Sequence, residues 1–393
     1  SSLRALSGPN NPIRRVAELV RDHTIIYDQE TVEVDENGAT ITDLDFDPDR
    51  AAALRINGSF VEIHRMLDDS TEGGATNIDE IQEALIALDS YVRGIADAPR
   101  PNARALELAI QRAQLQGEDP IFRLQRIAER APAPFNDHLE SIANESWRVI
   151  MSAATEEINR LWHEDTYGEY LRLIAGKYPF DRASETDLPL DDFILFFAPG
   201  GILDTFYNEQ LLTFVDERTG EARVIDGQTL DVDPTFTRQL RSAIEITRTL
   251  FDANGEVYVE FTVAPVSLNN NLSRAVLNFE GQLINSSHGA SQPIKVAWPN
   301  ILSGPVSSRV DLSALSRQGR SVGLQWDGPW SWLRLYDAAG RSNLTNNSVD
   351  ITFANANGQA ATFRIRAESS VNLFFNSPLT GFELPAYVRS PAG

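Results

Sequence analysis

The spacing of the apolar residues changes near residue 251, and this change constrains the fold more than any other feature of the 393-residue sequence. Before it, apolar side chains recur every three or four positions, as in an amphipathic helix. After it they alternate with polar ones, as Val257, Val259 and Phe261 do, which is typical of a half-buried strand. The sequence therefore predicts an α+β multidomain protein, with an N-terminal all-helical region followed by a C-terminal antiparallel β-sandwich.

Local signals place the elements on both sides of this change. Apolar residues run at helical spacing from Ile78, Asp119 followed by Pro120 is typical of a helix start, and the pattern after Pro134 continues for nearly 30 residues. Asn37-Gly38 in the acidic stretch 33–49 predicts a short hairpin. Beyond residue 251, the alternating stretches 256–265, 275–284, 349–367 and 371–376 predict strands, and Asn357-Gly358 predicts a hairpin turn.

These patterns divide the chain into three predicted domains. Residues 1–145 form a helical domain, residues 146–250 a second helical segment, and residues 251–393 the β-sandwich domain with a C-terminal tail. Within the second segment, "FFAPGG" (196–201) joins apolar residues to a tight turn, and we interpret it as a sharp corner between packed elements. A glycine pair can also cradle an anion through its N–H groups, which is the alternative.

Charge and composition exclude several classes of partner and chemistry. The formal net charge is −22, which argues against nucleic acid and against anionic membrane surfaces. Without cysteine there is no disulfide and no thiolate. The most apolar run, 193–203, is about half the ~20 residues that a membrane span needs, so we expect this stretch not to cross a bilayer. The sequence begins without Met, and we expect it to be a piece of a longer protein.

A search for reaction chemistry yields no catalytic, cofactor-binding or metal-binding residues. The sequence contains no phosphate-binding loop, no zinc-protease motif and no nucleophile elbow, and its five histidines lie far apart. "WHED" (162–165) places His163 beside two carboxylates, but adjacent residues on a helix point in different directions. We therefore predict that the protein is not an enzyme, with a hydrolase centred on His163 as a weak alternative.

Three of the six tryptophans lie within residues 326–332. Pro329 cannot donate to a sheet ladder, so we predict a strand after it, with Trp330, Trp332, Arg334 and Tyr336 on one face and leucines on the other. Both faces then require burial. Internal packing is the favoured interpretation, contact with a protein partner comes next, and a sugar-stacking platform that includes Trp326 comes third. The last of these defines the alternative function, a glycan-binding or peptidoglycan-binding β-sandwich module.

Two asparagine-rich loops of the β-region are the candidate partner-binding residues, because loop tips offer adaptable polar groups. The alternative is plain turn chemistry, since asparagine tolerates left-handed backbone. The candidates are Asn269, Asn270, Asn271 and Leu272 in the first loop, and Asn343, Leu344, Asn346 and Asn347 in the second.

Five stretches, in this order, resemble one known family. They are "YPF" (178–180), "DDFILFFAPGGILDTFYNEQLLTFVD" (191–216), "GQLINSSHG" (281–289), "AWP" (297–299) and "GPWSWLRLYDA" (328–338). With them the chain resembles the periplasmic C-terminal region of the TssM/IcmF family, inner-membrane subunits of the type VI secretion membrane complex. The likeness is dense from about 145 to 340 and weaker before that.

The resemblance implies a function that the residues alone do not. It implies a non-enzymatic structural component without a cofactor, located in the periplasm as part of an inner-membrane-anchored protein. It further implies binding of the outer-membrane lipoprotein TssJ through the β-domain, and assembly with TssL and with other copies of the same subunit. It leaves open the copy number, the contact residues and the role of residues 1–145.

Overall fold

The computed structural model describes the backbone of residues 27–34 and 40–46, and both backbone and side chains of most of the chain from residue 78 onward. The described ranges are 78–114, 119–131, 135–216, 220–252, 254–269, 271–287, 292–299, 307–314, 322–345, 347–356, 358–367, 379 and 381–389. The chain divides into two compact units. The first comprises residues 1–157 and 224–230, and the second comprises 158–223 and 231–393.

The first unit is mainly helical. Its elements are the antiparallel strands β1 (Tyr27–Val34) and β2 (Thr40–Phe46), the helices α1 (Ile78–Ala96), α2 (Pro101–Ala113), α3 (Pro120–Ala128) and α4 (Phe135–Leu161), and the short strands β3 (Val224–Ile225) and β4 (Gln228–Thr229). The unit boundary falls inside α4, after Glu157. The pairing of β1 with β2 confirms the hairpin predicted around Asn37-Gly38, so the region is helical with two small hairpins.

The start of α3 follows the capping signal in the sequence. The Asp119 side chain accepts a hydrogen bond from the backbone N–H of Phe122 at 2.8 Å, and Pro120 occupies the first helical position of α3. This arrangement satisfies an N–H group that the helix itself cannot pair. The 27 residues of α4 confirm the long helix predicted after Pro134.

A buried arginine joins α2 to the β3–β4 hairpin. Arg112 is only 8% exposed, and its guanidinium bonds both carboxylate oxygens of Asp119 and, at 2.7 Å, the carboxylate of Asp226. It also lies 4.8 Å from the ring centre of Trp147, whose indole N–H donates to the carbonyl of Ile225. The hairpin, distant in sequence, is thereby held by paired charges and an aromatic face.

The second unit begins with helices that are interrupted by wider turns. These elements are a π-helical turn (Trp162–Tyr167), α5 (Gly168–Leu173), α6 (Leu190–Phe197), α7 (Ile202–Phe206), a second π-helical turn (Tyr207–Leu211) and α8 (Pro234–Leu250). Their core is aromatic, with Trp162 fully buried 4.8 Å from the Phe236 ring and 5.1 Å from the Phe206 ring.

A C-terminal strap, residues 381–389, packs on these helices. The carboxamide oxygen of Asn159 accepts hydrogen bonds from the backbone N–H groups of Val388 and Arg389, and the Trp162 indole donates to the carbonyl of Pro385. Because the strap has no secondary structure of its own, these side-chain bonds satisfy backbone groups that would otherwise be buried without partners.

Two antiparallel sheets follow in the second unit. The strands are β5 (Val259–Leu268), β6 (Leu272–Phe279), β7 (Gln282–Ser287), β8 (Ile294–Trp298), β9 (Ser307–Ala314), β10 (Val322–Asp327), β11 (Gly340–Ser342), β12 (Ser348–Ala354) and β13 (Ala360–Ala367), with helix α9 (Ser331–Ala338) between β10 and β11. The strand orders are β10-β9-β6-β7 in one sheet and β11-β12-β13-β5-β8 in the other. Phe261 of one sheet lies 5.7 Å from Phe279 of the other, in a β-sandwich-like arrangement.

The strands confirm the alternation read from the sequence. Val259, Phe261 and Val263 of β5 are all buried, as is Val257 just before the strand. The hairpin predicted around residues 357–358 is confirmed by the pairing of β12 with β13, with Ala354 opposite Ala360, although Asn357 itself lies outside the described residues. The stretch 371–376, also predicted as a strand, lies outside the described residues.

The strand predicted after Pro329 is wrong, because these residues form helix α9. Gly328 has a φ of 98°, which breaks the line of β10, and the helix begins two residues after Pro329. Helical spacing buries Trp332, Leu335 and Tyr336, which a strand would have divided between two faces. The expectation that the tryptophans pack internally is confirmed, since Trp330 is fully buried and Trp332 is 4% exposed.

The fold class is therefore as predicted, a helical N-terminal region followed by a C-terminal antiparallel β-sandwich. The three-domain division with boundaries near 145 and 250 stays a prediction. Among the described helices, none combines the length and the hydropathy that a bilayer crossing demands.

Candidate functional site

His163 is exposed and contacts the C-terminal strap. Its Nδ1 lies 3.2 Å from the carbonyl oxygen of Ala386, which can only accept a hydrogen bond, and its ring stacks on that of Tyr387 with centres 5.2 Å apart. The neighbouring Glu164 pairs with Arg160. In the part of the chain that the structure describes, no three His, Cys, Asp or Glu side chains come together to hold a metal ion. The geometry gives His163 a packing role on the strap.

The "FFAPGG" segment forms the sharp corner that we expected. Gly200 has a φ of 76°, and its N–H donates to the carboxylate of Asp204 at 2.7 Å. Gly201 donates to the carbonyl of Ala198, and a Cβ at Gly201 would lie 2.8 Å from two carbonyl oxygens. Since both N–H groups are already bonded within the chain, the anion cradle is not formed.

The tryptophan-rich stretch lies at the junction of the β-sandwich with the helices of the same unit. The Trp330 indole donates to the carbonyl of Leu188 at 2.7 Å, and its ring lies 5.3 Å from that of Phe193. Trp332 lies 5.5 Å from Phe261 and 5.9 Å from Phe279, and so fills the space between the two sheets. Neither ring is available to stack on a sugar.

Arg334 lies one helical turn after Trp330 and contacts the same segment, since Trp330 bonds Leu188 and Arg334 bonds Asp187. Its guanidinium stacks 3.9 Å above the ring of Tyr178 and bonds the Asp187 carboxylate at 2.8 Å. Burial raises the pKa of the Tyr178 phenol, which stays protonated and donates to Asp337 at 2.7 Å. This cluster of charged and aromatic groups fastens α9 to the segment before α6.

The first candidate loop, 269–272, closes the turn between β5 and β6. The Asn269 side chain accepts from the backbone N–H of Asn271 and donates to the carbonyl of Gly358, both at 2.8 Å. Leu272 is fully buried, so it belongs to the core and presents no surface to a partner. Asn270 lies outside the described residues. The described part of this loop performs turn chemistry and leaves Asn271 exposed.

The second candidate loop, 343–347, joins β11 to β12. Asn343 has a φ of 51°, and its amide donates to Asp350 at 2.7 Å. The carbonyl of Asn347 accepts from the N–H of Ala367, while Leu344 is 58% exposed. Asn346 lies outside the described residues. This loop thus combines a turn with one exposed apolar side chain.

The structure places the two loops at opposite ends of the five-stranded sheet. Loop 269–272 lies beside the β12–β13 hairpin, which we call the distal end. Loop 343–347 precedes β12, at the end where Phe251 pairs with Val257 and Trp330 meets the helices, which we call the helix-facing end. The seven residues of β12 separate them by about 20 Å. One small contact patch therefore cannot include both loops.

One edge of the five-stranded sheet is partly occupied. The Gln282 carboxamide donates to the carbonyl of Ala297 at 2.9 Å and accepts from its N–H at 3.2 Å, so it pairs with the open side of β8 as a neighbouring strand would. At the opposite edge, β11 has only three residues. Short and covered edges of this kind limit strand addition.

Sequence reasoning missed an open groove on the helical part of the second unit. Its volume is about 420 Å³. Both π-helical turns and the "FFAPGG" corner contribute to its lining, which comprises Leu161, Asp165, Thr166, Leu195, Gly200, Gly201, Ile202, Thr205, Phe206, Glu209 and Gln210. Leu195 in this groove is 50% exposed.

A signal for the first π-helical turn is present in the sequence. Ile158, Trp162, Thr166 and Tyr170 are spaced four apart, and all four are buried. In a regular α-helix each step of four residues drifts about 40° around the axis, so four such residues would leave the buried face. The wider π-helical turn removes the drift. No comparable sequence pattern predicts that the two π-helical turns line the same groove.

The chain is similar to domains of one protein family. The family model for the type VI secretion protein IcmF helical domain matches residues 153–257, and that for the IcmF C2-like domain matches residues 261–369. The fold thus defines a class of protein in which a helical domain is followed by a C2-like β-sandwich. The two models occur in this order and together cover just over half of the sequence, and the chain belongs to the TssM/IcmF family of type VI secretion proteins.

A sequence relative and two solved structures agree with this assignment. The type VI secretion system component TssM1 of Pseudomonas aeruginosa is 27% identical over 98% of this chain, which spans only 36% of that relative. A chain of a type VI secretion system membrane core complex is 16% identical, with a TM-score of 0.71 over 97% of this chain and 79% of that one. The C-terminal domain of TssM from EAEC, 17% identical, has a TM-score of 0.54 over 60% of this chain and 98% of that domain.

Proposed function

We propose that this chain is a non-enzymatic structural part of the type VI secretion membrane complex, located in the periplasm. In that setting it binds the outer-membrane lipoprotein TssJ through its β-sandwich and assembles with TssL and with further copies of itself. The observation that carries the proposal is the pair of IcmF domain models, matched in order along residues 153–369. The structural similarity to a chain of a membrane core complex and to a TssM C-terminal domain supports it.

The distal end of the sandwich is the proposed lipoprotein contact. It lies away from the helices of its own unit, so a folded partner has room to approach. The register of β5 and β13 shifts between Thr362 and Phe363, which leaves Val266 without an opposite residue, and Val266 is 46% exposed. Together with the exposed Asn271 it offers an apolar anchor beside adaptable polar groups.

The helical regions supply length and further contact surface in this proposal. Helix α4, with 27 residues, is about 40 Å long, a useful reach for a subunit that links two membranes. Val149 on this helix is 52% exposed, and Phe122 on α3 is 42% exposed. Exposed apolar side chains on helices are candidates for contacts with other copies or with TssL.

Capture of the purified lipoprotein by this chain tests the proposal. We expect binding at micromolar concentration, and loss of at least tenfold in affinity when Val266→Arg and Asn271→Arg are combined, because two charges then occupy the anchor. Leu344→Arg is the matched control, since it places a charge on the other candidate loop. Absence of capture by the unmodified chain would count against the function. Loss of capture with Leu344→Arg alone would instead move the contact to the helix-facing end.

The glycan-binding alternative finds no support in the geometry. It requires Trp326, Trp330 and Trp332 to stack on sugar rings, but Trp330 and Trp332 are buried in the core. Quenching of tryptophan fluorescence by soluble glycan fragments would support the glycan-binding alternative after all.

A further inference from the structure

The groove on the helical part of the second unit has the composition of a protein-docking site. Its floor is apolar, with Leu161, Ile202 and Phe206, and Leu195 stands at its rim half exposed. A half-exposed leucine over an open groove of about 420 Å³ is an unfilled contact surface. The β-sandwich contributes none of the lining residues, so this surface is separate from the proposed lipoprotein contact.

The rim of the groove carries charge of a single sign. Asp165 and Glu209 both line it and are exposed, and no Lys or Arg is among its lining residues in the part of the chain that the structure describes. The nearby Arg160 is already paired with Glu164. The whole chain has a net charge of −22, which adds to the same field. A ligand with positive charge next to an apolar side chain complements this surface.

Backbone geometry sets this groove apart from an ordinary gap between helices. Asp165 and Thr166 belong to the first π-helical turn, and Glu209 and Gln210 belong to the second. π-helical turns are rare, well under 1% of residues in globular proteins, and are frequent at functional sites. Two of them, distant in sequence, line one surface.

The "FFAPGG" corner, which lines the groove beside the two π-helical turns, is rigid. Gly201 packs so closely that a Cβ would lie 2.8 Å from the carbonyl oxygens of Leu195 and Ala198. The Asp204 carboxylate holds the N–H of Gly200, and the Thr205 hydroxyl lies 3.3 Å from the Gly200 carbonyl. A preformed wall lowers the ordering cost of binding.

We propose that this groove docks a basic amphipathic segment of another protein of the secretion assembly. A leucine-type or phenylalanine-type side chain of that segment packs on Ile202, Phe206 and Leu195. An arginine or lysine one helical turn away pairs with Asp165 or Glu209. A helix that lays its apolar face into a groove is a common mode of recognition. A second copy of this chain is the less suitable occupant of this groove, because its net charge of −22 has the same sign as Asp165 and Glu209 at the rim, although copies can still assemble through other surfaces.

Two synthetic peptides provide the direct test with the 393-residue chain. One is a helical peptide of about 16 residues with leucine on one face and flanking arginines, and the other has glutamates in place of the arginines. We expect the arginine peptide to bind at least tenfold more tightly at low salt, with the difference falling at about 0.5 M salt as charges are screened. Equal binding of the two peptides, or no binding of either, would overturn the proposal.

Variants locate the binding on the protein. Asp165→Lys combined with Glu209→Lys is expected to abolish the preference for the arginine peptide, and Leu195→Arg is expected to weaken binding of both peptides at least tenfold. The matched controls are Glu185→Lys and Leu171→Arg, which alter exposed residues outside the groove and are expected to leave binding unchanged. These positions are exposed, so the fold tolerates the substitutions. Controls that weaken binding as much as the groove variants would overturn the assignment.

A photo-crosslinking residue at position 195 of the full-length protein in its own cells identifies the occupant. The expected product joins position 195 to a segment of another protein that has Arg or Lys next to Leu, Ile or Phe. A crosslink to a second copy of this chain or to an acidic segment would overturn the proposal. Lipoprotein capture by the Leu195→Arg variant is measured in parallel and should be unchanged. Its loss would place the lipoprotein in the groove and contradict a separate partner.

Discussion

The two ends of the β-sandwich carry similar turn residues but hold them by different means. At the helix-facing end, Trp330 and Trp332 are buried among aromatic rings, and Arg334 stacks on Tyr178. At the distal end, the turns are held mainly by asparagine side chains such as Asn269, which bond neighbouring backbone groups. The part of the first end around Trp330 is therefore fixed by burial, and the turns of the second end by local hydrogen bonds. Substitutions of the buried residues at the helix-facing end should lower the free energy of unfolding several times more than substitutions at the distal end.

Trp330→Ala is the largest expected effect. The indole is fully buried, lies 5.0 Å from the Trp298 ring and donates to the Leu188 carbonyl. Its removal leaves a cavity and an unpaired acceptor, and should lower the free energy of unfolding by about 3–5 kcal/mol. Urea denaturation followed by far-UV circular dichroism measures this change. The comparison of the two ends fails if the loss is below about 1 kcal/mol.

Alanine substitution of one glycine at each end gives a matched comparison. Gly328 (φ 98°) and Gly358 (φ 74°) both have left-handed backbone. A Cβ at Gly328 would overlap the Asp187 carboxylate, whereas a Cβ at Gly358 meets nothing within 4 Å. Gly358→Ala should cost about 1–2 kcal/mol from backbone strain alone, and Gly328→Ala should cost more. The urea unfolding midpoints of the two variants measure which substitution costs more stability. Equal losses would show that the helix-facing end relaxes around the added methyl group.

Asn269→Ala should have a smaller effect. The side chain makes two hydrogen bonds, since it accepts from the Asn271 N–H within the β5–β6 turn and donates to the Gly358 carbonyl of the β12–β13 hairpin. Their loss at an accessible turn is expected to cost about 1 kcal/mol in unfolding free energy. Hydrogen exchange of the Asn271 amide should also become faster, because its acceptor is removed. Asn269→Asp is the control, since aspartate keeps that acceptor. Unchanged exchange in Asn269→Ala would contradict the role assigned to the side chain.

The smallest expected effect depends on pH. Hydrogen bonds from Arg364, and then from Asn343, hold the pKa of the buried Asp350 below its usual range. The stabilisation by this pair is thus complete above the ordinary carboxyl pKa of about 4, and is lost as the pH falls through the lower pKa of the folded state. Because the Arg364 side chain is 49% exposed, water screens the pair and its contribution to stability should be small.

Urea midpoints of the unmodified chain and of Arg364→Gln at pH 7 and pH 3 measure that contribution. The gap between the two proteins should narrow in acid, because protonated Asp350 no longer prefers the guanidinium. Arg366→Gln, on the same strand, is the control. A gap that widens in acid would assign the stability to something other than this ion pair.

The predictions that succeeded depended on residues close together in the chain. Asp119 before Pro120 sets the start of α3, the predicted hairpin between β12 and β13 forms, and alternation from Val257 onward leads into β5. The predictions that failed needed distant information. The stretch after Pro329 has large apolar residues on both faces of a strand, and such a pattern fits a buried helix as well as a buried strand. Leu272 appeared to be a loop residue, but the start of β6 places it in the core.

The sequence by itself determined the change from helices to strands, the principal turns and the family, because periodicity, turn chemistry and motif order are written in consecutive residues. Only the tertiary structure decided which ends the two asparagine loops occupy, and that Asp165 and Glu209 share one groove. The physical reason is that a packed core brings together side chains from elements far apart in the chain, and their positions depend on how every element between them packs.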